Sequence, residues 1–181
     1  MGRTGRSNGS FLINVRVPKD LIRVPAAGTG ADLLFTAADT RNGGEAAIVV
    51  SVTVLPFALP PGVTAGEALA AMLRERDRGD RAVVEEFRTA AGHPAIGIRR
   101  IRPGTPKENG RLSVNTGQAQ VLVVYCAAGA LGVVSGACRN PRDLNATAAL
   151  VAGLVARMRV TPAGPGLAAA APVLADQVNE G

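Results

Sequence analysis

The sequence predicts an α+β domain with one antiparallel β-sheet of about six to seven strands flanked by two main helices. Three observations carry this. Residues 11–17 and 46–55 set their bulky apolar side chains on one face at the two-residue period of a strand. The run Val121-Leu122-Val123-Val124-Tyr125-Cys126 turns through Ala128-Gly129-Ala130 and returns as Gly132-Val133-Val134-Ser135-Gly136-Ala137, which describes a hairpin. Asn140-Pro141-Arg142-Asp143 then opens a long amphipathic stretch.

The stretch 120–160 is the most ordered part of the chain. Its uninterrupted β-branched run suits a central strand buried on both faces. Asn140 is an N-cap, with Pro141 at the first helical position, where a missing N–H costs nothing. Leu144, Ala148, Val151, Val155 and Met158 form one helical stripe, widened by Leu150 and Leu154. Arg157 and Arg159 fall in the last turn, where cations oppose the helix dipole, and Pro162 ends the regular structure.

In chain order, residues 1–10 read as a flexible basic arm. Residues 11–17 form a strand with Phe11, Ile13, Val15 and Val17 inward and Asn14 and Arg16 outward, ended by Pro18. A short apolar connector, 21–25, leads through the Gly28-Thr29-Gly30 turn to a second strand at 32–37. Asn42-Gly43-Gly44 signals a hairpin into 46–55, with Ile48, Val50, Val52 and Val54 on one face. Ala47, Val49, Ser51 and Thr53 make the other face apolar enough to expect partial cover.

Pro56 and Pro60-Pro61 precede the first helix, whose start Thr64-Ala65-Gly66-Glu67 fits a capping box. Leu69, Met72 and Leu73 form its buried stripe, residues 74–78 alternate in charge sign as a solvated face does, and Gly79 is its stop. Strands are expected at 82–89, with Val83 and Phe87 on one face, and at 95–102. Residues 103–110 read as an exposed loop and 111–116 as extended chain. One domain over 11–160 is therefore followed by a flexible Ala- and Pro-rich tail, 161–181. In that tail Val173, Leu174 and Val178 could lie on one helical face as a docking peptide ordered only on a partner.

A chain of 181 residues with 47% hydrophobic residues is long enough for one well-filled core. The net charge of +6 is carried almost wholly by arginine and invites acidic partners. With one Tyr, four Phe and no Trp, however, the chain lacks the aromatic platforms on which single-strand binders stack bases. No specific nucleic-acid partner is expected. No apolar run approaches the ~18 to 20 residues of a membrane span, and residues 1–10 lack the apolar segment of a secretory signal. A cytoplasmic protein is expected.

With the hairpin turning near Gly129-Ala130, Cys126 faces about Val133 and Cys138 about Val121. Five residues of strand at about 3.3 Å each then separate the two thiols, beyond the roughly 7 Å that a disulfide bridges between Cα atoms. Two buried thiols acting as small hydrophobes are expected.

Chemistry-bearing patterns are sparse. His93, the one histidine, sits in a Gly-His-Pro turn and has no Cys-x-x-Cys to make a metal site with. There is no phosphate-cradling Gly-x-x-x-x-Gly-Lys loop, and Gly28-Thr29-Gly30 lacks the third glycine of a dinucleotide fingerprint. Glu85 and Glu86 are adjacent on a strand, so they point to opposite faces and cannot pair as acid and base. Asn145-Ala146-Thr147 matches a glycosylation sequon but falls inside a helix. Neither catalytic residues, nor a metal, nor a cofactor is predicted. Arg99, Arg100 and Arg102 interrupt the alternation of Ile96, Ile98 and Ile101, which suggests a bulge near Arg99-Arg100. They read as a charged edge strand, or as a docking patch for an acidic partner.

The order of elements, the Val17-Pro18 close of the first long strand and the Gly92-His93-Pro94-Ala95 turn together resemble the PsbP-like superfamily, which includes the Ran-binding Mog proteins and bacterial DcrB- and LpqN-type domains. The resemblance covers about residues 11–160. Many members carry a Trp shortly after the first strand's Pro, where this chain has Leu21 or Ile22. It implies a sheet flanked by helices and mostly non-enzymatic roles in binding, assembly or chaperoning, and it carries no catalytic residue over to this chain. The expectation is a non-enzymatic, protein-binding or chaperone-like bacterial protein, monomeric or homodimeric. The alternative is a small-ligand or lipid-binding module with an apolar pocket between sheet and helices.

Overall fold

The computed structural model describes residues 2–38, 46–76, 82–102, 116–125 and 129–164. Ten strands, all paired antiparallel, form two sheets among them. The smaller sheet joins β1 (Gly2–Ser7), β2 (Phe11–Val17) and β10 (Met158–Pro162) in the order β1-β2-β10. The larger contains β3 (Ile22–Val24), β4 (Leu33–Ala38), β5 (Ala46–Pro56), β6 (Ala82–Arg88), β7 (Pro94–Arg102), β8 (Thr116–Tyr125) and β9 (Ala130–Cys138). Its order is β3-β4-β5-β9-β8-β7-β6. Two helices, α1 (Ala65–Arg76) and α2 (Leu144–Arg157), lie against it. The seven-stranded antiparallel sheet with two helices is the predicted architecture; the second sheet is not anticipated.

Strand alternation decides what each face of the large sheet meets. Leu33, Phe35, Ile48, Val50, Val52, Val54 and Val134 all project to one side and are buried there. On that side Phe11, Ile13, Val15 and Val17 of β2 and Val151, Leu154 and Val155 of α2 close the main core. Each such side chain contributes roughly 1.5–3 kcal/mol by leaving water, so this sandwich interface is the main source of stability. Thr147 is wholly buried in α2, and its hydroxyl donates to the Asp143 carbonyl at 2.9 Å. A smaller core lies on the other side, where Leu69 of α1 packs with Ile96, Ile98 and Leu131.

Residues 2–7, expected as a flexible arm, are instead strand β1, with Gly2 opposite Val17 and Ser7 opposite Leu12. The turn between β1 and β2 is held by Asn8, whose Oδ1 accepts from the Ser10 and Phe11 amides at 3.2 and 2.9 Å. Gly9 there takes a left-handed φ of 86°, which favours glycine. Residues 22–24, expected as a connector, form β3, with Ile22 opposite Thr36.

At the other end, α2 stops at Arg157 instead of continuing to residue 160. Met158 is extended, and β10 adds to β2 with Met158 opposite Val15 and Pro162 opposite Phe11. Met158 is buried as the helical stripe predicted, but from a strand. Strand β10 also carries the chain beyond the expected domain end at 160, through Pro162. Asn140 caps as expected, though what it opens is a single 3-10 turn over Pro141–Asp143, with its side chain accepting from the Arg142 amide at 3.0 Å.

The β8–β9 register differs from the expected one by four residues: Tyr125 lies opposite Ala130, and Cys138 opposite Gly117 instead of Val121. Cys138 is free and buried; Cys126 lies outside the described residues. So do the Asn42-Gly43-Gly44 turn, Gly79, the 103–110 loop and the tail from residue 165.

Candidate functional site

Helix α1 covers only part of its face of the large sheet, over β7 and β8. A local cap holds it there. The Thr64 amide and hydroxyl each donate to Glu67 Oε2 at 2.8 Å, and the Glu67 amide returns a bond to the Thr64 hydroxyl at 3.3 Å. These bonds hold the Glu67 carboxyl below the usual carboxylate range, the backbone bond being the larger cause.

Beyond α1, no described element covers the same sheet face over β3, β4, β5 and the far end of β9. The register places Ile22, Thr36, Val49 and Ala137 in one row across four strands. At about 4.8 Å between strands that row spans roughly 14 Å. A second row holds Val24, Leu34, Ser51 and Ser135. Ile22 is 61% exposed, Val49 38% and Leu55 48%, and no residue of the two rows is ionisable. The sequence foresaw that this side of β5 was apolar. The expected partial cover holds for Ala47, Ser51 and Thr53, which are half-buried, but not for Val49, because α1 packs at the β7–β8 side of the sheet.

The predicted arginine cluster is not brought together. The ladder runs unshifted from Ala82 opposite Arg100 to Arg88 opposite Pro94, and from Ala95 opposite Val123 to Arg102 opposite Thr116, so the expected bulge is absent. Strand β7 is also interior; β6 is the edge. Unbroken alternation sends Arg99 to the α2 side and Arg100 to the α1 side. Arg99 forms an ion pair with Glu85 and donates to Asn145 Oδ1 at 3.3 Å. It is thus occupied within the fold, through a surface pair of modest worth. The Arg102 side chain lies outside the described residues, as do Val173, Leu174 and Val178.

The edge strand β6 exposes Val83, Val84 and Phe87, with Glu85 and Glu86 between them. Those charges blunt an otherwise sticky edge. His93 sits in a bonded turn: its amide donates to the Thr89 hydroxyl at 3.1 Å and its carbonyl accepts from the Thr89 amide at 2.9 Å. Among the described residues, no group of three or more His, Cys, Asp or Glu side chains is arranged to hold a metal. No helix there is long and apolar enough to cross a membrane.

No protein-family model matches the chain, and neither does any curated protein. Among solved structures it is similar to LpqN of Mycobacterium tuberculosis, a protein involved in cell envelope biogenesis. The TM-score is 0.57 at 15% identity, over 89% of this chain and 91% of that one. A protein of unknown function from Pseudomonas aeruginosa, PA94, aligns over 81% of this chain and 88% of its own at 15% identity, with a TM-score of 0.38 that bears no weight. At these identities the likeness is one of architecture. The chain shares the α+β sandwich fold of LpqN.

Proposed function

We propose that this is a non-enzymatic binding protein of the PsbP-like superfamily, and that it docks a partner protein on the open face of the seven-stranded sheet. The observation that carries the reading is the uncharged row Ile22–Thr36–Val49–Ala137, with Leu55 also exposed on the same face six residues further along β5, about 20 Å from Val49. Monomeric proteins seldom leave a contiguous apolar surface of this kind without a use for it. A partner that fits presents an uncharged, apolar surface of its own; burying Ile22 and Val49 supplies the anchor of a small interface, and a surface long enough to reach Leu55 buries that side chain too. The fold shared with LpqN, a protein involved in cell envelope biogenesis, is in keeping with a binding or assembly role.

The reading is tested by capturing partners from native lysate with the wild type and with a Val49→Asp, Leu55→Asp variant. Both substituted positions are exposed, so the variant keeps its circular dichroism spectrum. The same partner set should then be lost or reduced tenfold or more. An unchanged set, or a turnover activity on a small molecule, overturns the proposal. A cytoplasmic location belongs to the same proposal, and recovery of the protein in the envelope fraction would refute that part of it.

A further inference from the structure

The opposite end of the molecule carries a basic groove that the docking face does not involve. It measures about 340 Å³ and lies between the C-terminal end of α2, strands β2 and β10, and Ala90-Ala91 at the β6–β7 turn. Arg16, Arg157 and Arg159 line it together with Asn14, and among the described residues no acidic one does. We propose that this groove binds a phosphate group.

Three separate elements deliver the arginines. Val15 of β2 and Met158 of β10 face each other in the ladder with both side chains buried. Alternation then turns Asn14 and Arg16 outward from β2, and Arg159 outward from β10 opposite Asn14. Arg16 and Arg159 are therefore diagonal neighbours, roughly 7–8 Å apart and somewhat closer at Cβ by ordinary sheet geometry. Arg157, the last residue of α2, reaches the same groove. Arg3 of β1 occupies the register position directly opposite Arg16. Among the described residues none of Arg16, Arg157 and Arg159 forms an ion pair.

The bland account of Arg157 is that it offsets the negative end of the helix dipole. That account does not extend to Arg16 and Arg159, which stand on strands. Like charges set close together on neighbouring strands repel, and a bound anion would offset that repulsion. All three cations are arginines, whose planar forks match phosphate oxygens in pairs better than a lysine does. Ala90 and Ala91 leave the opposing wall low, and the volume is that of a small-ligand site. The same phosphate chemistry is offered by a soluble phosphate ester and by an anionic lipid headgroup.

The 181-residue chain is titrated with inorganic pyrophosphate by calorimetry, and sedimented with phosphatidylglycerol vesicles against phosphatidylcholine vesicles. Saturable binding to at least one of the two phosphate probes is expected. Arg16→Ala and Arg159→Ala should each weaken it tenfold or more without changing the melting temperature. Arg142→Ala, placed before the far end of the 14-residue α2 and so about 21 Å away along the helix, should leave it intact. Pyrophosphate binding assigns a soluble ligand; binding to the anionic vesicles alone assigns a headgroup. Failure of both probes overturns the site. So does an equal loss with Arg142→Ala, since net charge would then account for the binding. Neither result bears on the docking face.

Discussion

Asn8 ties the two sheets together: its side-chain amide, in the turn of the small sheet, donates to the Val54 carbonyl in the large one at 2.9 Å. The same nitrogen lies 3.3 Å from Asp32 Oδ2, and that oxygen accepts from the Val54 amide at 2.7 Å. The other side of the Asn8 amide closes its own turn through the Ser10 and Phe11 N–H groups. One side chain thus sets both the β1–β2 turn and its seat on the sandwich. Asn8→Ala strands partly buried polar groups and should cost about 1–3 kcal/mol, with the melting temperature falling roughly 2–4 °C for each kcal/mol. Thermal denaturation measures it, and a variant as stable as the wild type contradicts the role.

Removing residues 1–7 separates two pictures of the N-terminus. A flexible arm predicts no change in stability. As an edge strand whose ladder runs from Gly2 opposite Val17 to Ser7 opposite Leu12, its loss bares the backbone of β2. The melting temperature should drop by roughly 5 °C or more. The exposed edge should also raise the tendency to aggregate, which light scattering on heating would register.

The cap on α1 should be visible in the pH dependence of stability. The Glu67 pKa is lower in the folded protein than in the unfolded chain, so its contribution is present above the unfolded value of about 4.5. That contribution is lost as pH falls through the folded pKa. Wild type and Glu67→Ala should therefore differ at neutral pH and converge in acid. A difference that persists in acid assigns the effect to helix propensity instead.

Removal of residues 165–181, which hold Val173, Leu174 and Val178, should leave the melting temperature unchanged and weaken partner capture. The cut keeps Ala163, whose amide donates to the Ser10 carbonyl at 2.9 Å. A fall of several degrees would show that the tail packs on the domain and would end the idea that it docks a partner.

Local and periodic features were legible in the sequence by itself. The alternation of Phe11, Ile13, Val15 and Val17, and of Ile48, Val50, Val52 and Val54, marks strands because one face of each is buried. The Thr64–Glu67 cap needs only four consecutive residues, and the stripe Val151, Leu154 and Val155 needs only one helix. The Asn8-Gly9 pair is a hairpin signal that, read as such, would have disclosed β1.

Only the tertiary structure decided the rest. The stretch Gly2–Ser7 has no bulky apolar side chain, and it is a strand because the backbone of β2 offers it a ladder. Val160 and Thr161 extend as β10 on the other side of β2 instead of prolonging α2. Whether Arg99 stood at an edge or in the interior depended on β8, which pairs with the side of β7 that its hairpin partner β6 leaves free. The open face around Val49 exists because α1 packs over β7 and β8 rather than over β5. Burial leaves a period in the sequence, since it selects side chains; a backbone ladder selects few, and the neighbour that completes it is known only once the chain has folded.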